Sequence, residues 1–175
     1  MTGNAFADTA AWSNNWVWGA PLIVLTVLAH CAGLVLIHQN VVLKIQATSS
    51  RSRPFVLIAE IVAIAVLLLT ILHAIEAAAW AAAYVALGAR PDAASAMLYS
   101  LSAITAYGHA NVYLAEHWQL MGALEALNGM MLFGLTTAFL FSVLHSSFQI
   151  SATESAPKAA PVPVDPVTAS IVVDP

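Results

Sequence analysis

The sequence predicts an all-α membrane protein with three transmembrane helices and one re-entrant half-helix. Of its 175 residues, 61% are hydrophobic and only 8% charged, and the mean hydropathy is +0.84. A soluble domain carries about a quarter charged residues. The apolar residues also gather in long runs parted by short polar links, and a helix needs about 20 of them in a row to cross a bilayer. Spans and links use up the chain, so a separate folded catalytic domain is excluded and no enzyme activity is expected. Five Lys+Arg against nine Asp+Glu leave a net charge of −4, which offers no basic surface to a nucleic acid. The lipid bilayer is the expected partner.

Residues 1–18 are expected to lie outside the cytoplasm, with Trp12, Trp16 and Trp18 at the headgroup level that suits their amphipathic rings. The run 19–43 is the first transmembrane helix. The link 44–54 holds Lys44, Arg51 and Arg53, three of the five cations, and is cytoplasmic by the positive-inside rule. The run 55–87, interrupted by Glu60, His73 and Glu76, crosses outward and is broken by Gly88, Arg90 and Pro91. Asp92, a good N-cap, opens a helix over 93–104. Twelve residues make about 18 Å of helix, short of a hydrocarbon core of about 30 Å, so this piece is a half-helix that enters and returns. A loop over 105–109 leads back out, and 115–147 crosses inward to a cytoplasmic C-terminus. The tail 148–175, with Pro157, Pro161, Pro163, Pro166 and Pro175, reads as disordered. Cys31, the single cysteine, reads as a small buried hydrophobe.

A half-helix entering N-terminus first turns its partly negative C-terminal end toward the membrane centre, which favours a cation. The carbonyls and the Thr105 hydroxyl of the following loop could replace a cation's hydration shell. One copy cannot encircle an ion, so several chains must surround an axis. The residues Tyr99-Ser100-Leu101-Ser102-Ala103-Ile104-Thr105-Ala106-Tyr107-Gly108-His109, and the segments Trp118 to Gly129 and Phe133 to Phe141, follow the same order of elements. On these, the stretch from Phe55 to Leu144 resembles the pore-loop cation channels of bacterial potassium-channel type, small members with an extra N-terminal helix. The resemblance implies a homotetramer in the bacterial cytoplasmic membrane, N-terminus outside. Its filter would be built from Ile104, Thr105, Ala106, Tyr107, Gly108 and His109 of four loops. It would pass a monovalent cation, K⁺ or Na⁺, passively, with no bound cofactor or metal.

The family's filter reads Thr-Thr-x-Gly-Tyr-Gly-Asp, and the chain keeps only Tyr107-Gly108. Ile104 stands where a hydroxyl ring would begin, and Ala106 where the family has glycine; at positive φ its Cβ costs about 1–2 kcal/mol. His109 replaces an acid, so it either titrates near pH ~6.5 at the mouth and makes conduction pH-dependent or only hydrogen-bonds the loop. A channel-like accessory protein that conducts nothing is the alternative reading.

Ionisable groups inside spans are functional candidates. His73, Glu76 and Trp80 share a helix face by their i, i+3, i+7 spacing, and Glu76 and Glu125 lie roughly 16 and 12 Å deep. One expectation is a single buried network of His73, Glu76, Glu125 and Asn128 behind the half-helix; the other is ion binding by Glu125 itself. Gly122, Gly129 and Gly134 serve close packing, or Gly129 or Gly134 serves as a gating hinge. Thr136 and Thr137 line the inner cavity or bond their own backbone. Glu116, His117 and Trp118 belong to the outer interface, as do His38 and His145 to the ends of their helices. His30 matches His73 in depth, and a haem iron held between the two would make an electron carrier instead.

Overall fold

A computed structural model of the chain describes residues 3–48, 54–108 and 112–155, with side chains placed for 9–40, 56, 58–108 and 112–146. Four α-helices follow in order: α1 Gly3–Thr48, α2 Pro54–Ala86, α3 Ala93–Ile104 and α4 Gln119–Ser155, the last preceded by a 3₁₀ turn at Glu116–Trp118. Stretches 9–40 of α1, 58–86 of α2 and 116–146 are long and apolar enough to cross a membrane. Helix is what such sequence must form there, because hydrocarbon leaves no solvent partner for a bare backbone amide or carbonyl.

The second and third helices start and end close to where sequence puts them. The first runs past its apolar stretch at both ends, and the last past its C-terminal end. α1 includes the three outer tryptophans, all exposed, and continues through Pro21; α4 continues into the tail as far as Ser155, just before the Ala156-Pro157 pair. Hydrophobicity marks the bilayer, whereas helix stops only at a breaker, and Pro157 is the first one after α4. Arg51, Arg53 and the tail beyond Ser155 lie outside the described residues.

Two helix ends use the same device with different residues. At α2, the Ala89 amide donates to the Tyr84 carbonyl (2.8 Å) and that of Gly88 to Val85 (3.1 Å), with Gly88 at φ +67. This is the Schellman arrangement, whose left-handed residue is usually glycine. At α3, the Tyr107 amide donates to Ser102 (3.0 Å) and that of Ala106 to Ala103 (2.9 Å). The left-handed residue there is Ala106, φ +52. The start of α3 is capped as expected: the Ser95 amide donates to Asp92 Oδ1 at 2.8 Å.

α2 and α4 form the central pair. α3 packs against both from one side and α1 against both from the other, without touching each other. Three apolar clusters stack along the bundle. Trp80, Tyr84, Ala96, Tyr99, Trp118 and Met121 fill the outer part, where α3 lies. Ala77, Ile104 and Leu132 mark the level where α3 ends. Ile37, Ile61, Ala65, Leu69 and Val143 close the inner part without it.

Two glycines set the seat of α3. A Cβ on Gly122 would collide with the Tyr99 hydroxyl, and one on Gly129 with the Ile104 backbone carbonyl. The C-terminal end of α3 therefore sits on α4 near the middle of its apolar stretch. Arg90 ties the outer connection together, donating to Ser95 Oγ (3.1 Å) and to the Tyr113 carbonyl (2.8 Å).

Candidate functional site

The polar residues inside the spans form three separate sets, where sequence suggests one network. The deepest joins three helices. Glu76 on α2 has Oε1 2.9 Å from Nδ1 of His30 on α1. Its Oε2 is 3.3 Å from Nδ1 of His73, one turn earlier on α2. The other edge of each imidazole meets Thr136 on α4: Nε2 of His30 and Nε2 of His73 are each 3.1 Å from its Oγ1. The rings lie 5.1 Å apart, tilted by 41°, and His73 also stacks on Phe133 at 5.0 Å. His30 and Glu76 are buried, and His73 is 18% exposed. Glu76 Oε2 makes no hydrogen bond, because the His73 contact lacks the alignment of one.

The second set lies a step outward, behind α3. Glu125 accepts from the Tyr84 hydroxyl at 2.6 Å and is in close contact with Ser100 Oγ, whose hydroxyl also reaches the Ala77 carbonyl at 2.7 Å. This carboxyl thus links α2, α3 and α4 at one point. The third set is Asn128, whose amide donates to Thr26 Oγ1 on α1 at 2.8 Å. The expected sharing between Glu76 and Glu125 is absent among the described residues, because the two leave α2 and α4 in different directions and take different partners. Trp80 belongs to the outer apolar cluster, and its indole nitrogen has no hydrogen-bond partner.

The last turn of α3 closes on the start of the loop: the Leu101, Ser102 and Ala103 carbonyls accept from the Thr105, Tyr107 and Ala106 amides, and the Thr105 hydroxyl donates back to Leu101 at 2.6 Å. Thr105, Ala106, Tyr107 and Gly108 are all exposed, Tyr107 to 81%, and Gly108 has φ +94. His109 lies outside the described residues. Ile104 is buried on α4 rather than presented to the loop. A hinge at Gly129 is disfavoured by its close seat against Ile104, whereas Gly134 has open space beside it. Thr137 bonds its own backbone at Phe133, 2.8 Å away; Thr136 does not line a cavity but joins the histidines.

Two further expectations change. Each of His30 and His73 turns both ring nitrogens to shared partners, and the two rings lie 5.1 Å apart, with no slot for a porphyrin plane between them in this arrangement. Cys31 is exposed, since its neighbour His30 takes the inward direction and the next residue on a helix points about 100° away. Of the outer residues, Glu116 and His117 are exposed and Trp118 is buried.

Sequence reasoning missed Asn15, Thr26, Tyr84 and Ser100. Asn15 is buried, donates to the His117 carbonyl (2.7 Å) and accepts from the Met121 amide (2.9 Å). It thereby satisfies an orphan amide at the start of α4 from a different helix. A polar residue one turn below Trp12 was the available signal.

No protein-family model, curated protein or solved structure matches the chain. Fold and composition define its class as an α-helical membrane protein with three apolar helices able to span and a fourth, shorter one packed among them.

Proposed function

We propose that the chain is one protomer of a homotetrameric pore that conducts a monovalent cation, K⁺ or Na⁺, passively across the bacterial cytoplasmic membrane. The observation that carries this reading is the placement of α3. It is too short to cross, ends against Gly129 near the middle of α4's apolar stretch, and is followed by an exposed loop. An apolar helix ending at that depth must return, and irregular backbone there needs a protein-lined or watery surround. A central axis shared by neighbouring copies supplies one. α1 packs on the far side of the α2–α4 pair and leaves the loop face free. Leu127, Met130 and Met131 are exposed on α4, a stripe where neighbouring copies would meet. Lys44, Arg51 and Arg53 argue for a cytoplasmic link between α1 and α2, hence an outer loop after α3.

The second reading, a channel-like protein that conducts nothing, draws on the filter sequence, which keeps only Tyr107-Gly108 of the family's pattern and puts Ile104, buried against α4, where a hydroxyl ring would begin. Flux of K⁺ and of Na⁺ into liposomes holding the full chain, at pH about 5, 7 and 8, separates the two. Flux of either ion above that of protein-free liposomes is the expected result. No flux of either at any of these pH values contradicts conduction.

A further inference from the structure

The His30–Glu76–His73 cluster plays no part in the proposed ion path, and it has the composition of a metal centre. Two imidazoles and a carboxylate, each with one donor atom, lie within 4.8 Å of one another. Three protein ligands of this kind, with a fourth position left open, are the usual set of a catalytic-type zinc site.

Bond lengths of about 2.0–2.1 Å in tetrahedral geometry put neighbouring ligand atoms roughly 3.3 Å apart. The two nitrogen–oxygen separations here are 2.9 Å and 3.3 Å. The second is not aligned as a hydrogen bond, and it leaves a carboxylate oxygen of a 2%-exposed Glu76 with no hydrogen-bond partner. A nitrogen and an oxygen close together but not pointed along an N–H are placed as two ligands of one ion would be.

The Thr136 hydroxyl explains the orientation of both rings. A metal-bound neutral imidazole carries its hydrogen on the other nitrogen, and that N–H needs an acceptor outside the site. Both Nε2 atoms are 3.1 Å from Thr136 Oγ1, whose two lone pairs can accept both. With the hydrogens so placed, the two Nδ1 lone pairs and the Glu76 carboxylate face one another with no hydrogen between them. With neutral rings reversed, two Nε2 lone pairs would compete for one hydroxyl hydrogen. A mixed pair of neutral rings, His30 donating from Nδ1 to Glu76 and His73 from Nε2 to Thr136, makes three of the four contacts and sets the His73 Nδ1 lone pair against the second oxygen of an ionised Glu76; a cation between the Nδ1 atoms and the carboxylate relieves that contact as well. No Lys or Arg is among the partners of Glu76.

We infer that His30, His73 and Glu76 bind one divalent transition-metal ion of the Zn²⁺ class through the two Nδ1 atoms and the carboxylate. Thr136 positions both rings. The ion joins α1 to α2 and, through Thr136, to α4. The partly exposed edge of His73 beside Phe133 is the open side of the site.

The test uses the full chain in detergent, stripped with a chelator, reloaded with Zn²⁺ or Co²⁺ and desalted. Elemental analysis should find about one ion per chain, and Co²⁺ should give the visible bands of a low-coordinate nitrogen–oxygen site. His73→Ala should remove the ion. Thr136→Val, which touches no metal, should weaken binding by about 10- to 100-fold while the helical circular-dichroism signal is kept. Cys31→Ser should change nothing. A wild-type protein that retains no ion, or one whose ion content and Co²⁺ spectrum are the same in His73→Ala, would overturn the proposal and leave the cluster a proton-compensated ion pair.

Discussion

Asp92 and Ala106 bracket α3, and each can be tested by a single substitution. Ala106 holds φ +52, where a Cβ costs about 1–2 kcal/mol. Ala106→Gly should raise stability by about 1 kcal/mol in thermal melts of the detergent-solubilised protein, and Ala106→Val should lower it. The Asp92 carboxyl is held below its usual range, first by the Ser95 hydroxyl and then by the Ser95 amide. A depressed carboxyl stabilises above its unfolded pKa, near ~3.9, and the contribution fades as pH falls through the lower folded value. Asp92→Asn should therefore flatten the acid limb of a stability-versus-pH curve. Asn15→Ala strips the Met121 amide of its buried acceptor and should cost about 1–3 kcal/mol. Asp92 was legible because a cap acts on its own helix. Asn15, Thr26 and Thr136 were not, because their partners on other helices lie 63 to 106 residues away and no local pattern encodes such a distance.

At the scale of elements, close packing of α3 on α4 depends on two glycines and not on the third. Gly122→Ala and Gly129→Ala place a Cβ into Tyr99 and into the Ile104 carbonyl, and each should cost about 1–3 kcal/mol in the same melts. Gly134→Ala meets nothing within 4 Å and should be neutral or stabilising by up to about 1 kcal/mol through helix propensity. The lengths of α2 and α3 could be read because breakers stand at both their ends. The rotation of the helices could not. An amphipathic helix announces its inner face by a polar stripe opposite, and these spans are apolar nearly all round. His73 and Glu76 could be placed on one face by spacing, but whether that face met His30 or Glu125 was set by rotation. Both carboxylates found partners, in separate sets.

For the molecule as a whole, large apolar side chains remain uncovered on α4: Met130 is 67% exposed and Phe141 70%. Lipid can cover such a surface, but lipid gives no surround for the backbone after α3, where Tyr107 and its neighbours stand free. The proposed fourfold assembly would cover both at once, with α1 on the lipid side and the four loops inward. The count of chains in a lipid nanodisc, read by native mass spectrometry, tests this most directly. Four copies are expected, with the tetramer destabilised by Met130→Trp on the exposed α4 stripe and unaffected by Val24→Trp on α1. A single copy per nanodisc at every protein-to-lipid ratio would contradict it.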